Sequence, residues 1–417
     1  MTIFQFGIHL KACFLMTYNF DEIIDRKQTN ALSIEGFRGY LFGDYENLEF
    51  PLPDQDLIKM WVADMEFKTA PEIIDGIRKR IEHGIFGYTL SSEESYSRLI
   101  VDWIEERHNF LYNHEHIVSS KGVIPALFYL LRQLCKQGEK AMIMTPSYAF
   151  FKHAADANNI ELVYTNLISD DGHFYMNFDD IRSKVSDKEL TTLIFCSPHN
   201  PTGRLWTAEE LKELGDICFQ NGVTIISDEI HCDLVRNGAI FTPFQRVFPG
   251  SDQIVTCISA SKTFNLAGLL LSNAIIPNDT LRRQWLADHL PIQNPLSLAA
   301  YKAAYTAGRP WLEALTKYLD SNFEEVDNFI RNRLPKARFT IPESTYLAWI
   351  NVDAYFEKRE VKDLTLFFAQ KAGVLLEGGN MFVANSDGYI RLNLACPQRR
   401  LMEGMERIAK ALIENDI

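Results

Sequence analysis

Apolar positions along this chain fall into two alternating rhythms. Ile73, Ile77 and Ile81 recur at helical spacing after Thr69-Ala70-Pro71-Glu72, which reads as a capping box with proline at the first helical position. Gly122 to Lys136 is a second apolar helix, entered through Ser119-Ser120-Lys121-Gly122. Between such segments run short, unbroken apolar stretches: Ala141–Met144, Leu193–Cys196, Val223–Ser227 and Ile254–Ile258. Thr207 to Glu210 repeats the capping-box pattern, and that helix stops at Asn221-Gly222, a left-handed cap. Strands without polar alternation, joined by helices, predict a mainly parallel sheet covered on both faces.

From about residue 296 the character changes. A long helical stretch over 296–334 is followed by strand-like Ser344–Ile350 and Gly388–Asn393. The expected division is a large α/β domain over 61–295, with a smaller α+β domain from 17–60 and 296–417. Residues 1–16 are apolar with one lysine, a poor match to a targeting signal. They read as an extension without chemistry, with Met16 a second candidate start.

At 417 residues the chain exceeds what a single core usually serves, which agrees with two domains. A net charge of −13 argues against nucleic acid or anionic membranes as partners, and no apolar run reaches membrane-spanning length. The seven cysteines form no CxxC pair, and two of them lie in strand-like runs, which fits a reduced cytoplasmic setting. His114-Glu115-His116 lacks a third ligand and reads as no metal site.

In an open parallel sheet, ligands sit beyond the carboxyl ends of the strands. Asn200, Asp228 and Lys262 all fall near such ends. A lysine flanked by hydroxyls in Ser259-Ala260-Ser261-Lys262, with a strand-end carboxylate upstream, is the kit for holding pyridoxal 5'-phosphate: the amine meets the aldehyde, and the carboxylate keeps the pyridine nitrogen protonated. A phosphate wants amides at a helix N-terminus, which Gly122-Val123-Ile124 supplies, with Ser259 and Ser261 as further donors. Tyr148 can cover the ring, Asn200 can donate to a phenolic oxygen, and Arg391 suits a substrate carboxylate. Each of these residues also has an ordinary structural role open to it. Their order along the chain is what makes the set informative.

Taken together, Gly122, Tyr148, Asn200, Asp228, Lys262 and Arg391 resemble the fold-type I pyridoxal phosphate enzymes of the aspartate-aminotransferase superfamily. Trp61–Phe67, His83–Tyr88, Ser227–His231, Ser261–Asn265 and Thr345–Trp349 narrow the resemblance to its cystathionine β-lyase (C–S lyase, MalY/PatB-like) branch. The resemblance implies a seven-stranded sheet between helices, Lys262 as the Schiff-base lysine, Asp228 as the pyridine partner and His231 near the ring. It also implies that Tyr88 reaches the phosphate of a second subunit in an obligate homodimer, and that Ala63 and Asp64 line the substrate entrance. Aminotransferases of the superfamily usually carry an arginine eight residues after the lysine; here Leu270 stands there. Near the C-terminus, Met381-Phe382-Val383 lacks the glycine that commonly follows the phenylalanine. The expected reaction is β-elimination from cystathionine or another S-substituted cysteine, giving a thiol, pyruvate and ammonia. An aminotransferase using the same residues is the alternative, and a regulatory protein partner, as in some lyase-branch relatives, is a further role left open.

Overall fold

A computed structural model describes residues 18–43, 48–170, 172–357 and 361–416. The predicted extension and Cys13 lie outside the described residues. Seven strands form the central sheet: Ile117–Ser120 (β1), Lys140–Thr145 (β2), Glu161–Asn166 (β3), Leu190–Cys196 (β4), Thr224–Asp228 (β5), Ile254–Ile258 (β6) and Ser272–Ile275 (β7). Their order is β1-β7-β6-β5-β4-β2-β3, with β7 alone running against its neighbours. The fold is thus an α/β arrangement with a mainly parallel sheet. β4, β5 and β6 read as continuous apolar runs because they are buried along almost their whole lengths. One apolar cluster packs helix Val123–Leu134 and Trp285 against Ile194, Ile226 and Val255. Another packs Leu211, Leu214 and Cys218 of helix Ala208–Gln220 against Leu193, Ile225 and Ile254. Neighbouring positions on each strand therefore face opposite helical layers.

The helical stretch after 296 divides into Pro295–Ala307 and Arg309–Arg333 at Gly308, where a Cβ would meet the ring of Phe264 at 2.5 Å. Helix Pro295–Ala307 packs along helix Pro71–Glu82, while Phe323, Val326 and Ile330 of the second helix join a separate core. That core surrounds a three-stranded antiparallel sheet of Leu347–Asn351 (β8), Glu377–Gly378 (β9) and Tyr389–Asn393 (β10), in the order β8-β10-β9. Leu364–Ala372 and the terminal helix Gln398–Asp416 cover it. Among the described residues, no helix is long and apolar enough to cross a membrane.

The two expected capping boxes part company. At Thr207 both bonds form: its Oγ1 accepts from the Glu210 amide at 3.2 Å, and Glu210 accepts from the Thr207 amide at 2.8 Å. At Thr69 neither forms, because Ala70 is the N-cap and the helix begins at Pro71. Proline removes the need for one amide partner there, and the Thr69 hydroxyl is left without a partner. Replacing Thr207 by Ala should therefore lower stability by about 1 kcal/mol, read as a lower urea midpoint. Thr69→Val should leave the midpoint unchanged or raise it slightly.

Candidate active site

Beyond the carboxyl ends of β4, β5 and β6 lies a cavity of about 290 Å³. Its walls bring together residues far apart in sequence: Ala63, Gly122, Val123, Ile124, Tyr148, Asn200, Asp228, His231, Ser261, Lys262 and Arg391. Lys262 rides on the single-turn helix Ala260–Thr263 that follows β6. Its Nζ donates to the Ala63 carbonyl at 2.6 Å, and the Tyr346 hydroxyl donates to the same oxygen at 2.8 Å. Asn265, at φ +57°, fastens the segment after Ala63 to the lysine's turn. Its Oδ1 accepts from the Met65 amide at 3.0 Å, and its Nδ2 donates to the Met65 and Phe67 carbonyls at 3.0 and 2.9 Å.

Asp228 ends β5 and is buried; its Oδ1 accepts from the Ile230 amide at 3.2 Å. Gly122 caps helix Val123–Leu134 at φ +143°, a backbone that side-chain-bearing residues avoid. The amides of the first turn have no carbonyl of their own helix to bond and stand at the cavity wall. Arg391, on β10, is almost wholly buried. Its Nη1 donates to Asn200 Oδ1 at 2.9 Å, its Nη2 to the Trp61 carbonyl at 3.3 Å, and it pairs with Glu377. Its Nε is buried with no partner, as is Nδ1 of His231.

The charged groups work against burial. Desolvation pushes the Lys262 amine down to about 8, with Arg391 adding to the shift. Burial pushes the Asp228 carboxyl up to about 7, partly offset by the Ile230 amide and by Lys262. His231 is held down to about 3 by burial and by the two cations, so its ring is neutral near pH 7. An amine of lowered basicity and a buried carboxyl with one amide donor both leave room for a ligand that would complete them.

Three expected residues lie elsewhere. Ser259 is buried outside the cavity wall: its hydroxyl donates to the Leu271 carbonyl at 2.8 Å and accepts from the Ser261 amide at 3.1 Å. A hydroxyl has one proton, so Ser259 holds the turn and has none left for a phosphate in this geometry. Asp64 is outside the cavity wall, bound to Arg26 at 2.7 Å, close enough for its charge to reach Lys262. Tyr88 is 94% exposed and borders a neighbouring hollow with Lys121 and Leu270, both of which also line the main cavity. His114 and His116 share a short turn at the surface, bonded to Arg98 and Asn113. His199 is buried against Trp206, with Nδ1 bonded to Thr202 at 2.8 Å.

Sequence reasoning missed Tyr40, Lys121 and Glu377 as wall residues. Glu377 carried a signal, a lone acid directly after apolar Val374-Leu375-Leu376. Tyr40 carried none, because it arrives from the distant helix Phe37–Phe42.

Most of the chain resembles solved and curated proteins. A pyridoxal-phosphate-bound C–S lyase from Staphylococcus hominis superposes with a TM-score of 0.91 at 44% identity, covering 96% of this chain and 99% of its own. Cystathionine β-lyase PatB of Bacillus subtilis (strain 168) is 35% identical over 94% of this chain and 100% of its own length. Protein MalY of Escherichia coli (strain K12) is 31% identical over 86% and 92%. The architecture is that of the fold-type I pyridoxal phosphate enzymes. Residues 55–408 match the aminotransferase class I and II family, and the chain belongs to it.

The depressed amine has a direct consequence. The neutral form of a lysine reacts with aldehydes, and its fraction rises with pH through the pKa. The initial rate of reductive methylation of Lys262 in the ligand-free protein should reach half its high-pH plateau near pH 8, and exposed lysines theirs near 10.5. Peptide mapping by mass spectrometry across a pH series measures the two midpoints.

Proposed function

We propose that this protein is a pyridoxal 5'-phosphate-dependent carbon–sulfur β-lyase acting on cystathionine or another S-substituted cysteine. The observation that carries the reading is the convergence of a buried lysine amine, a buried carboxylate and an arginine with a vacant Nε in one cavity. The relatives named cystathionine β-lyase and C–S lyase support the choice of reaction.

The residues present fit the cofactor. Lys262 would bind its aldehyde, and the Asp228 carboxylate would accept a hydrogen bond from its protonated ring nitrogen, a cationic partner that favours the ionised form of Asp228. Amides of Gly122, Val123 and Ile124, with the Ser261 hydroxyl, would hold the phosphate at the helix end. Tyr148 and His231 would flank the ring, and the Asn200 amide would donate to its phenolic oxygen while its Oδ1 stays on Arg391. When bound, pyridoxal phosphate supplies an aldehyde for the substrate's amino group and a ring that accepts the electron pair released at its α-carbon.

The chain's own groups then do three things before the bond breaks. Arg391 orients the substrate carboxylate through its vacant Nε–H. Ala63 and Asp64 stand at the entrance. Lys262, its basicity lowered by burial, takes the α-proton through its neutral form. The β-carbon–sulfur bond breaks, the thiolate takes the proton that Lys262 removed and leaves as a thiol, and water hydrolyses the remainder to pyruvate and ammonia.

The same reading makes the enzyme a cytoplasmic homodimer, with Tyr88 reaching the phosphate site of the partner. Its support is the exposure of Ile85, Phe86, Tyr88, Leu90, Leu270 and Leu290, apolar surface that a second copy would cover. Six described cysteines, all free and buried, suit a reducing compartment. The division into a large domain over 61–295 and a smaller one from 17–60 and 296–417 belongs to this reading too.

The deciding experiment is incubation with L-cystathionine and no added 2-oxo acid. Sustained release of pyruvate is expected, and a single turnover followed by a stall would identify an aminotransferase instead. Lys262→Ala should remove both pyruvate release and the cofactor's visible absorbance. Light scattering should give twice the chain mass of 47.9 kDa, and a monomer would sink the Tyr88 assignment.

A further inference from the structure

Glu377 belongs to no step described above, yet it lines the same cavity. It sits on β9 directly opposite Arg391 on β10, in the same register as Gly378 opposite Ile390. Its carboxylate pairs with the Arg391 guanidinium and lines the cavity wall, and only 7% of the residue is exposed. The strand holding it has little freedom. The Gly378 amide donates to Thr365 Oγ1 at 2.8 Å, and a Cβ on Gly379 would lie 1.9 Å from the Ser386 carbonyl oxygen. The charge of Glu377 also reaches Lys262, Tyr40 and Tyr148 on the other walls.

The cavity's charged lining is Lys121, Asp228, Lys262, Arg391 and Glu377. Lys262 and Asp228 are committed to the cofactor. Lys121 adjoins Gly122 at the helix end, on the phosphate side. Arg391 is then the lining cation left to face a substrate, and Glu377 already balances its charge. One carboxylate can still join it through the vacant Nε–H. A second would enter an almost dry space beside an uncompensated Glu377, where like charges repel strongly.

We infer that Glu377 determines which amino acids the site accepts, its fixed negative charge excluding substrates with a second, side-chain carboxylate and leaving those whose side chain is uncharged or zwitterionic. The inference rests on the reading of Arg391 as the carboxylate anchor. It separates this pocket from one suited to dicarboxylic amino acids by a feature of the wall rather than by the reaction itself.

L-asparagine and L-aspartate test it, because they match in size and differ by one charge. Equilibrium titration of the holoenzyme, followed by its visible spectrum and by calorimetry, should show aspartate binding at least about tenfold more weakly. In Glu377→Gln, which keeps the size and one acceptor, the gap should shrink to about threefold or less through tighter aspartate binding. Glu377→Asp, which keeps the charge, should preserve the gap. Equal binding of the two ligands by the wild-type enzyme would overturn the inference without any variant, so a misfolded Glu377→Gln cannot shield it. An unchanged gap in a folded Glu377→Gln would overturn it as well. If neither ligand perturbs the wild-type spectrum or gives heat, the Arg391 reading falls and this inference with it. Pyruvate release from cystathionine is scored separately. An enzyme that discriminates between the two ligands but releases no pyruvate keeps this inference and loses the lyase assignment.

Discussion

The site depends on holding Lys262 almost dry. Burial alone favours the neutral amine, and the nearby Arg391 guanidinium pushes the same way. Aldehyde capture and proton removal both use the neutral form of an amine, and the downward shift enlarges that fraction near neutral pH. The opposing carboxylates of Asp228 and Glu377 keep the space from accumulating positive charge, and each is raised by the same burial. Every other requirement follows from that enclosure. The sheet must deliver Asp228 from its interior, and the short helix after β6 must place the lysine beside it. The smaller sheet must bring Arg391 across from the other side.

Much of this was legible in the chain because parallel strands buried on both faces leave an unmistakable pattern. Val223–Ser227 and Ile254–Ile258 are apolar without alternation, and the residues that follow them are where a ligand must sit. Gly122 was legible for a related reason, since its φ of +143° admits few alternatives. The capping box at Thr207 was real, whereas the one at Thr69 was a false echo: Pro71 had already supplied the helix start, so the hydroxyl had nothing to do.

What could not be read was set by contacts between distant segments. Ser259 looked like Ser261, yet Leu271 and Tyr301 claim its hydroxyl. Local sequence cannot reveal which of two neighbouring hydroxyls faces inward when a one-turn helix decides it. Tyr40 enters from more than a hundred residues before Tyr148, on a helix with no chemical signature. Glu377 is legible only as an oddity, and its meaning appears when the β9–β10 register sets it against Arg391.

Asn265 is a small residue with a large mechanical effect. Three hydrogen bonds from one side chain join the loop bearing Ala63 to the turn bearing Lys262. The lysine and the carbonyl that receives its proton are thereby carried on a single jig. Moving either one apart from the other requires breaking these bonds. The tolerance of the site rests on a staple that does not line the cavity, outside the sheet that delivers its carboxylate.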